Sequence, residues 1–432
     1  MFPKIKFAID FFICCWKGSA KYYAWLAFLG ALSLIFFFGL YQQLTHGLIF
    51  TNMNDQVSWG LYESNFIFLV GVAAAAVTVV FPAYVYHHKQ LKSIVIIGEM
   101  VAITAVNMVM LFILMHMGRV DRLWHLIPVI GIFNFPNSML TWDVIVLNGY
   151  LGLNVVCAFY YLYKKYTGQH PNDKFYSPLV YISIVWALSI HTVTAFLINT
   201  MPPRPMWFHS MMPIKFISTA FASGPSLIII AFLVIKRTTA LKVEDEAIEL
   251  LSQIVTWCLG LALFLAMSEI VTELYPSTEH SFSLKYLLFG KHGLSGLVPW
   301  IWTSFTLNII AFLLLLNPKF RKNHKRLLII CIMVFIGVWI DKGMGLVVPG
   351  FIPTPIGEFA EYTPSLFEVM NSIGIWAFGL MMFTMLAKGG IGVLTGEIKY
   401  SCEPGQGSRR NKEPLVCHPF CSGHPGSTGK EK

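Results

Sequence analysis

The sequence predicts an all-α integral membrane protein, a bundle of ten transmembrane helices with both termini in the cytoplasm. Three observations predict this. Of 432 residues, 56 % are hydrophobic and 12 % are charged, about half the charged share of an ordinary soluble domain. Ten stretches are apolar over about 20 residues, the length that crosses a bilayer core. Lys and Arg concentrate in alternate connecting segments. So little charge cannot cover a soluble globule, which excludes a soluble enzyme and a nucleic-acid module. The net charge of +9 follows from membrane loops rather than from a nucleic-acid partner.

The spans are expected at 22–44, 61–86, 93–117, 141–163, 176–199, 214–235, 249–275, 296–316, 326–349 and 365–387. Residues 1–21 form a basic N-terminal segment without a small-residue cleavage site, so no removable signal peptide is expected. The ten-helix membrane domain covers 22–387. The polar tail 388–432 is expected to be disordered. The N-terminal segment, the loops at 87–92, 164–175, 236–248 and 317–326, and the tail hold 24 of the 31 basic residues. The opposite side holds 7. The basic side is therefore cytoplasmic.

The outer segments GRVDRLWHLIPVIGIFNFPNSMLTW and MPPRPMWFHSMMP are rich in Trp, Pro and His. They read either as an aromatic belt at the membrane interface or as a shaped platform for an extracytoplasmic partner. In the tail, Cys417 and Cys421 with His418, His424 and Cys402 do not match a standard zinc spacing. No metal site is expected there. The remaining cysteines, Cys14, Cys15, Cys157, Cys258 and Cys331, read as apolar fillers.

A charged side chain at the bilayer centre costs roughly 2.5–3.5 kcal/mol on insertion scales, so such residues face the bundle interior and are functional candidates. They are Glu63, Glu99, Asp143, His191, Glu269, Glu273, Asp341, Lys342 and Glu368. Glu63 follows Trp59 by four residues, on the same helix face. Gly71 and the run Ala73 to Ala76 then offer a smooth surface for close helix contact. Asp143, Leu147, Tyr150 and Asn154 form one stripe at helical spacing. Asp143 also fits simple N-terminal capping. His191 lies in the outer half of its span, either as a neutral core histidine or as a donor to a quinone oxygen or a proton carrier. Glu99 and Asn107 share the third span; Glu99 reads equally as a snorkelling acid. Asp341 and Lys342 read as a neutralising pair with neighbours. No two intramembrane histidines stand at matching depth, so no haem is expected.

These residues resemble a known family. Trp59-Gly60 through Gly71, Ala73 and Ala74 is similar to the opening core helix of the polysulfide-reductase membrane subunits, the NrfD/PsrC-like family. Gly118-Arg119-x-Asp121-Arg122-Leu123-Trp124-His125, then Phe135-Pro136-Asn137-Ser138 and Trp142-Asp143, resembles that family's outer loop. Pro203-Arg204-Pro205-x-Trp207, Ser218-x-Ala220 and Ser223-Gly224 resemble its ten-span branch, found in sulfite-reduction-associated electron-transfer complexes. The similarity covers residues 20 to about 398.

The resemblance implies a haem-free subunit that exchanges electrons with a quinone, menaquinone in particular. It implies an extracytoplasmic ferredoxin-like iron–sulfur partner. In that branch it further implies a multihaem cytochrome c, a b-haem membrane subunit and a cytoplasmic iron–sulfur subunit. No cysteine set here can ligate a cluster. Carried over, the resemblance puts Trp59 and Glu63 by the quinone, with Asp143, Tyr150 and His191 as neighbours. A Glu at 63 departs from the neutral hydrogen-bonding groups of relatives. A partner above the quinone would dock on Arg119, Arg122, His125, Arg204 and Trp207. Glu99 and Asn107 would start a proton path from the cytoplasm. The competing reading is a secondary transporter, whose signature would be repeated halves with broken helices. Interruptions are visible at Phe81-Pro82 and Gly224-Pro225, but repeated halves are not.

Overall fold

The structure, a computed structural model, describes residues 3–86, 88–92, 94–276 and 281–400. The chain runs α1 (Pro3–Trp16), α2 (Ala20–His46), α3 (Leu61–Ala74), α4 (Val77–Tyr84), α5 (Lys89–Lys92), α6 (Val95–His116), α7 (Met139–Tyr166) and α8 (Asp173–Asn199). It continues with α9 (Met212–Thr238), α10 (Asp245–Leu274), α11 (Ser281–Phe289), α12 (Val298–Leu316), α13 (Pro318–Arg321), α14 (His324–Lys342) and α15 (Leu366–Leu394). Among the described residues there is no β-strand. Ten stretches are long and apolar enough to cross a membrane, and the chain is a multi-pass membrane protein. The cysteine-bearing tail lies outside the described residues.

Side-chain caps set several helix starts. Ser19 accepts the Tyr22 N–H, Asn172 that of Lys174, and Asn323 those of Lys325 and Arg326. Such caps satisfy donors that the first turn leaves open. The N-terminal segment contains a helix, α1, that turns Phe7, Phe11, Cys14 and Cys15 inward. Its Asp10 accepts the Tyr166 hydroxyl at 2.5 Å. The Tyr400 N–H donates to the Tyr166 carbonyl at 3.0 Å. Both ends of the described chain therefore meet on one face, the basic one.

Two four-helix rings form the body. One is α3, α6, α7 and α8; the other is α9, α10, α12 and α14. Helices α2 and α15 pair with each other and lean on α6. The rings join where α3 meets α9. There a Cβ on Gly224 would collide with Ala75, and Gly71 faces His191 and Ala220. The small residues thus do what their spacing predicts, and bring two backbones close.

The second span is not one helix. It breaks at Ala75–Ala76, between α3 and α4. Alanine is the best helix former, so the break has no local cause. Side chains add donors here: Tyr150 donates to the Ala73 carbonyl at 3.2 Å and the Thr78 hydroxyl to that of Ala75 at 2.6 Å, which also accepts the Thr78 N–H at 2.9 Å. Inside hydrocarbon each such group needs a partner. The interruptions noted in the sequence lie elsewhere, since Pro82 sits within α4 and Pro225 within a continuous α9. After α14 the chain makes a π-turn, Gly343–Val347, then a short 3-10 turn, Pro349–Phe351.

Candidate functional site

The site is built around the outer end of α3. Its first residue, Leu61, has no side-chain N-cap; its N–H donates to the Tyr362 hydroxyl at 2.8 Å. Tyr362 in turn donates to Glu368 Oε1 at 2.6 Å. The other carboxylate oxygen accepts the N–H groups of Asn52 and Ser365 at 3.0 and 2.9 Å. Glu368, fully buried, is thus a structural clamp that holds three segments and completes a capping box. Gly60 is required here, because a Cβ would strike the Tyr362 ring. Just before it, Trp59 stacks on Trp207 with centroids 5.5 Å apart.

One turn into α3, the buried Glu63 faces His116 at the end of α6, with Oε1 3.5 Å from Nε2. Asp143 on α7 is buried close enough to Glu63 for the two charges to interact. Its Oδ1 accepts the Thr194 hydroxyl at 2.8 Å, while Oδ2 has no hydrogen-bond partner. Ser138 holds the N-cap position of α7, so Asp143 is not the capping residue the sequence allowed. The stripe Asp143, Leu147, Tyr150, Asn154 is buried along its whole length.

His191 lies against Gly71 and near Phe216, and neither ring nitrogen has a hydrogen-bond partner. On the other side of this junction Lys342 is 2 % exposed. Its Nζ sits 3.4 Å from the centre of the Phe216 ring and has no hydrogen-bond partner. Of the neutralisation by neighbours expected at Asp341 and Lys342, Asp341 has a counterpart, since it lies in the fields of Lys215 and Lys342, while Lys342 makes no hydrogen bond. Lys215 itself pairs with Glu269 on α10 at 2.5 Å. Glu269 also faces His209, at 3.7 Å. Burial holds His209 below the ordinary histidine range, against the opposing pull of Glu269. Glu269 is therefore a paired group, not merely a solvated helix end.

Glu99 is 3 % exposed and does not snorkel. It sits deep among Tyr84, Tyr150, Tyr161 and Tyr176, and its Oε2 has no hydrogen-bond partner. The Tyr84 and Tyr176 hydroxyls are 3.2 Å apart. Asn107 is half-buried and donates to its own helix at Ile103, 2.8 Å away. Tyr150, whose hydroxyl donates to the Ala73 carbonyl at 3.2 Å, lies in the field of Glu99.

The outer-loop residues divide into two groups. Arg119 and Arg122 are exposed, and His125 is exposed and stacked on Trp124. Arg119 binds Asp121 at 2.7 Å, which holds that carboxyl down at about 2. Trp207 is fully buried; its indole donates to the Leu346 carbonyl at 2.8 Å. Arg204 donates to the Phe351 carbonyl at 3.0 Å and covers the Phe351 ring. Neither Trp207 nor the engaged guanidinium of Arg204 offers a free docking surface. An aromatic in a short loop looks the same in sequence whether it faces solvent or a neighbouring turn.

Sequence reasoning missed His116 and Lys215 as site residues. Each has a readable signal, a titratable group one turn or less from an outer helix end, at the depth of an intramembrane acid.

Comparison with known proteins agrees with this architecture. A subunit of the selenate reductase of Mesobacillus selenatarsenatis is 24 % identical over 413 residues, covering 84 % of this chain and 92 % of that protein. The Hdr-like menaquinol oxidoreductase integral membrane subunit of Archaeoglobus fulgidus is 22 % identical over 386 residues, covering 86 % and 93 %. The family model described as polysulphide reductase, NrfD, matches residues 50–352. That stretch contains both helix rings with Glu63, Asp143, His191, Lys215, Glu269 and Lys342, and the chain belongs to the NrfD polysulphide reductase family.

Proposed function

We propose that the chain is the quinone-reactive membrane subunit of a respiratory oxidoreductase complex, and that it exchanges electrons with an extracytoplasmic iron–sulfur subunit. The observation that carries this reading is the set of buried, unpartnered polar atoms at the outer end of the first ring: Asp143 Oδ2 and both nitrogens of His191. Leaving such groups unpaired costs about 1–3 kcal/mol each. A quinone headgroup offers two oxygens that act as acceptors or donors according to redox state, which fits this set. Bound there, a quinone supplies two-electron, two-proton chemistry.

The chain's own residues would do the rest. Trp59 walls the site, His191 and Asp143 orient the headgroup, and Glu63 with His116 holds or passes a proton. Tyr150 and Glu99 lie below, in the direction of the cytoplasm, and we assign them the proton path with Tyr150 in the place expected for Asn107. The relative named as a menaquinol oxidoreductase subunit supports menaquinone as the quinone. The family description supports a complex of sulfur-compound respiration, with a multihaem cytochrome c, a b-haem subunit and a cytoplasmic iron–sulfur subunit as further partners. Arg119, Arg122 and His125 would meet the extracytoplasmic partner. The membrane is the cell's cytoplasmic membrane.

The test is quinol-linked electron transfer in the purified native complex. Glu63→Gln and His191→Leu should each lower turnover about 10²-fold while the complex still assembles. Normal turnover in both variants rejects the site.

A further inference from the structure

The polar cluster has two arms, and the proposed function uses only one. In the first ring Glu63 faces His116, which is 22 % exposed at its side chain, across 3.5 Å. In the second ring Glu269 faces His209, also 22 % exposed at its side chain, across 3.7 Å. Each ring thus ends at its outer surface in one Glu–His pair. Behind the first pair stands Asp143, with one unpartnered oxygen. Behind the second stand Lys215, 2.5 Å from Glu269, and then Asp341 and Lys342. His191 and Lys342 flank the same Phe216 ring, and this is where the arms meet.

Lys342 decides what the second arm is for. It has no hydrogen-bond partner and is buried in the membrane domain. The effective penalty for a buried ion is several kcal/mol. A cation–π contact is weaker than that penalty, so Phe216 does not offset it. A lysine kept for stability would reach a carboxylate, and Asp341 is the adjacent residue, yet no ion pair forms between them. The backbone leaves the α-helix at this point, in the π-turn Gly343–Val347. Such turns recur at functional sites. Gly343 packs on Ser64 of α3, so the turn is pressed against the first ring.

We propose that the second ring carries its own proton route, from His191 through Lys342 and Lys215 to Glu269 and His209, in parallel with the route through Glu63 and His116. This rests on the proposed quinone reaction. A quinol–quinone couple exchanges two protons for every two electrons passed to or from an iron–sulfur partner. Each arm then handles one of the two protons. Lys342 takes the proton on its lone pair; Lys215 hands one of its own protons to Glu269, to which it is hydrogen-bonded, and refills from Lys342, so each transfer makes one N–H or O–H bond as it breaks another.

Two readouts test the proposal on the native complex. The first needs no quinone. In quinone-depleted complex, infrared pH titration should lose one carboxyl band in Glu63→Gln and a different one in Glu269→Gln. Lys342→Met should shift the Glu269 band and leave the Glu63 band in place. The second is turnover with quinol. Glu269→Gln and Lys342→Met should each slow it about tenfold and raise the solvent isotope effect. Glu63→Gln combined with Glu269→Gln should fall a further tenfold or more below Glu63→Gln alone. Glu269→Asp should restore part of the loss. A Glu269 band indifferent to Lys342→Met, or a double variant equal to Glu63→Gln alone, overturns the second route. A wild-type complex that does not react with quinol overturns the function itself, and the infrared result is then read separately.

Discussion

Tyr362 donates its hydroxyl to Glu368 at 2.6 Å and accepts the Leu61 N–H at 2.8 Å. One phenol therefore joins a buried carboxylate to the first turn of the central helix. Trp59 and Glu63 take their positions from that turn.

Tyr362→Phe leaves both the Leu61 N–H and one oxygen of Glu368 without a partner. The expected cost is about 1–3 kcal/mol, read as a lower Tm of the detergent-solubilised complex. Turnover should fall as well, because α3 is no longer held at its start. An unchanged Tm would show that water replaces the phenol at no cost.

Tyr150→Phe should uncouple two roles. The Ala73 carbonyl loses its donor at the helix break, worth about 1 kcal/mol. If Tyr150 also passes protons, uptake from the cytoplasmic side should slow more than this small destabilisation explains. Vesicle-reconstituted complex with an internal pH dye reads both quantities. Proton uptake at the wild-type rate would leave Tyr150 as a structural donor.

Glu99→Gln keeps the shape of the side chain and removes its titration. Proton uptake from the inner face should drop by about 10²-fold with the fold intact. Equal uptake and turnover in the variant would make Glu99 a structural residue of the tyrosine pocket.

Gly224→Ala places a methyl against Ala75, where α3 and α9 touch. Overpacking of this kind costs about 1–3 kcal/mol and should push the two rings apart. The measurement is thermal unfolding, and a neutral result would mean that the Ala75–Ala76 break absorbs the methyl.

Arg122→Glu and Trp207→Ala separate docking from folding. Arg122 is exposed, so reversal of its charge should weaken binding of the extracytoplasmic partner about tenfold without loss of stability. Trp207 is buried and hydrogen-bonded, so its truncation should cost about 3–5 kcal/mol in stability. If Arg122→Glu leaves partner affinity unchanged, the 118–140 loop is not the docking surface.

Environment, span count and family pattern are all legible in the sequence. Hydrocarbon demands long apolar stretches and tolerates few charges, so these properties are written residue by residue and need no contact to be read. The same rule singled out Glu63, Glu99, Asp143, His191, Glu269 and Lys342 as interior groups. Tertiary structure alone decided what each of them meets. Glu368 became a clamp because residues 52, 362 and 365 come together around it. Glu99 does not reach the interface because the packed bundle buries it, with Tyr84, Tyr150, Tyr161 and Tyr176 near enough to feel its charge. Trp207 turned inward because the 3-10 turn at 349–351 folds against it. The helix break at Ala75–Ala76 opposes local propensity, and Tyr150 and Thr78 supply side-chain donors to the carbonyls beside it. Side-chain partnership across helices depends on rotation and depth of both helices at once, and no single span carries that information. The pairing of His116 with Glu63 and of His209 with Glu269 is of this kind.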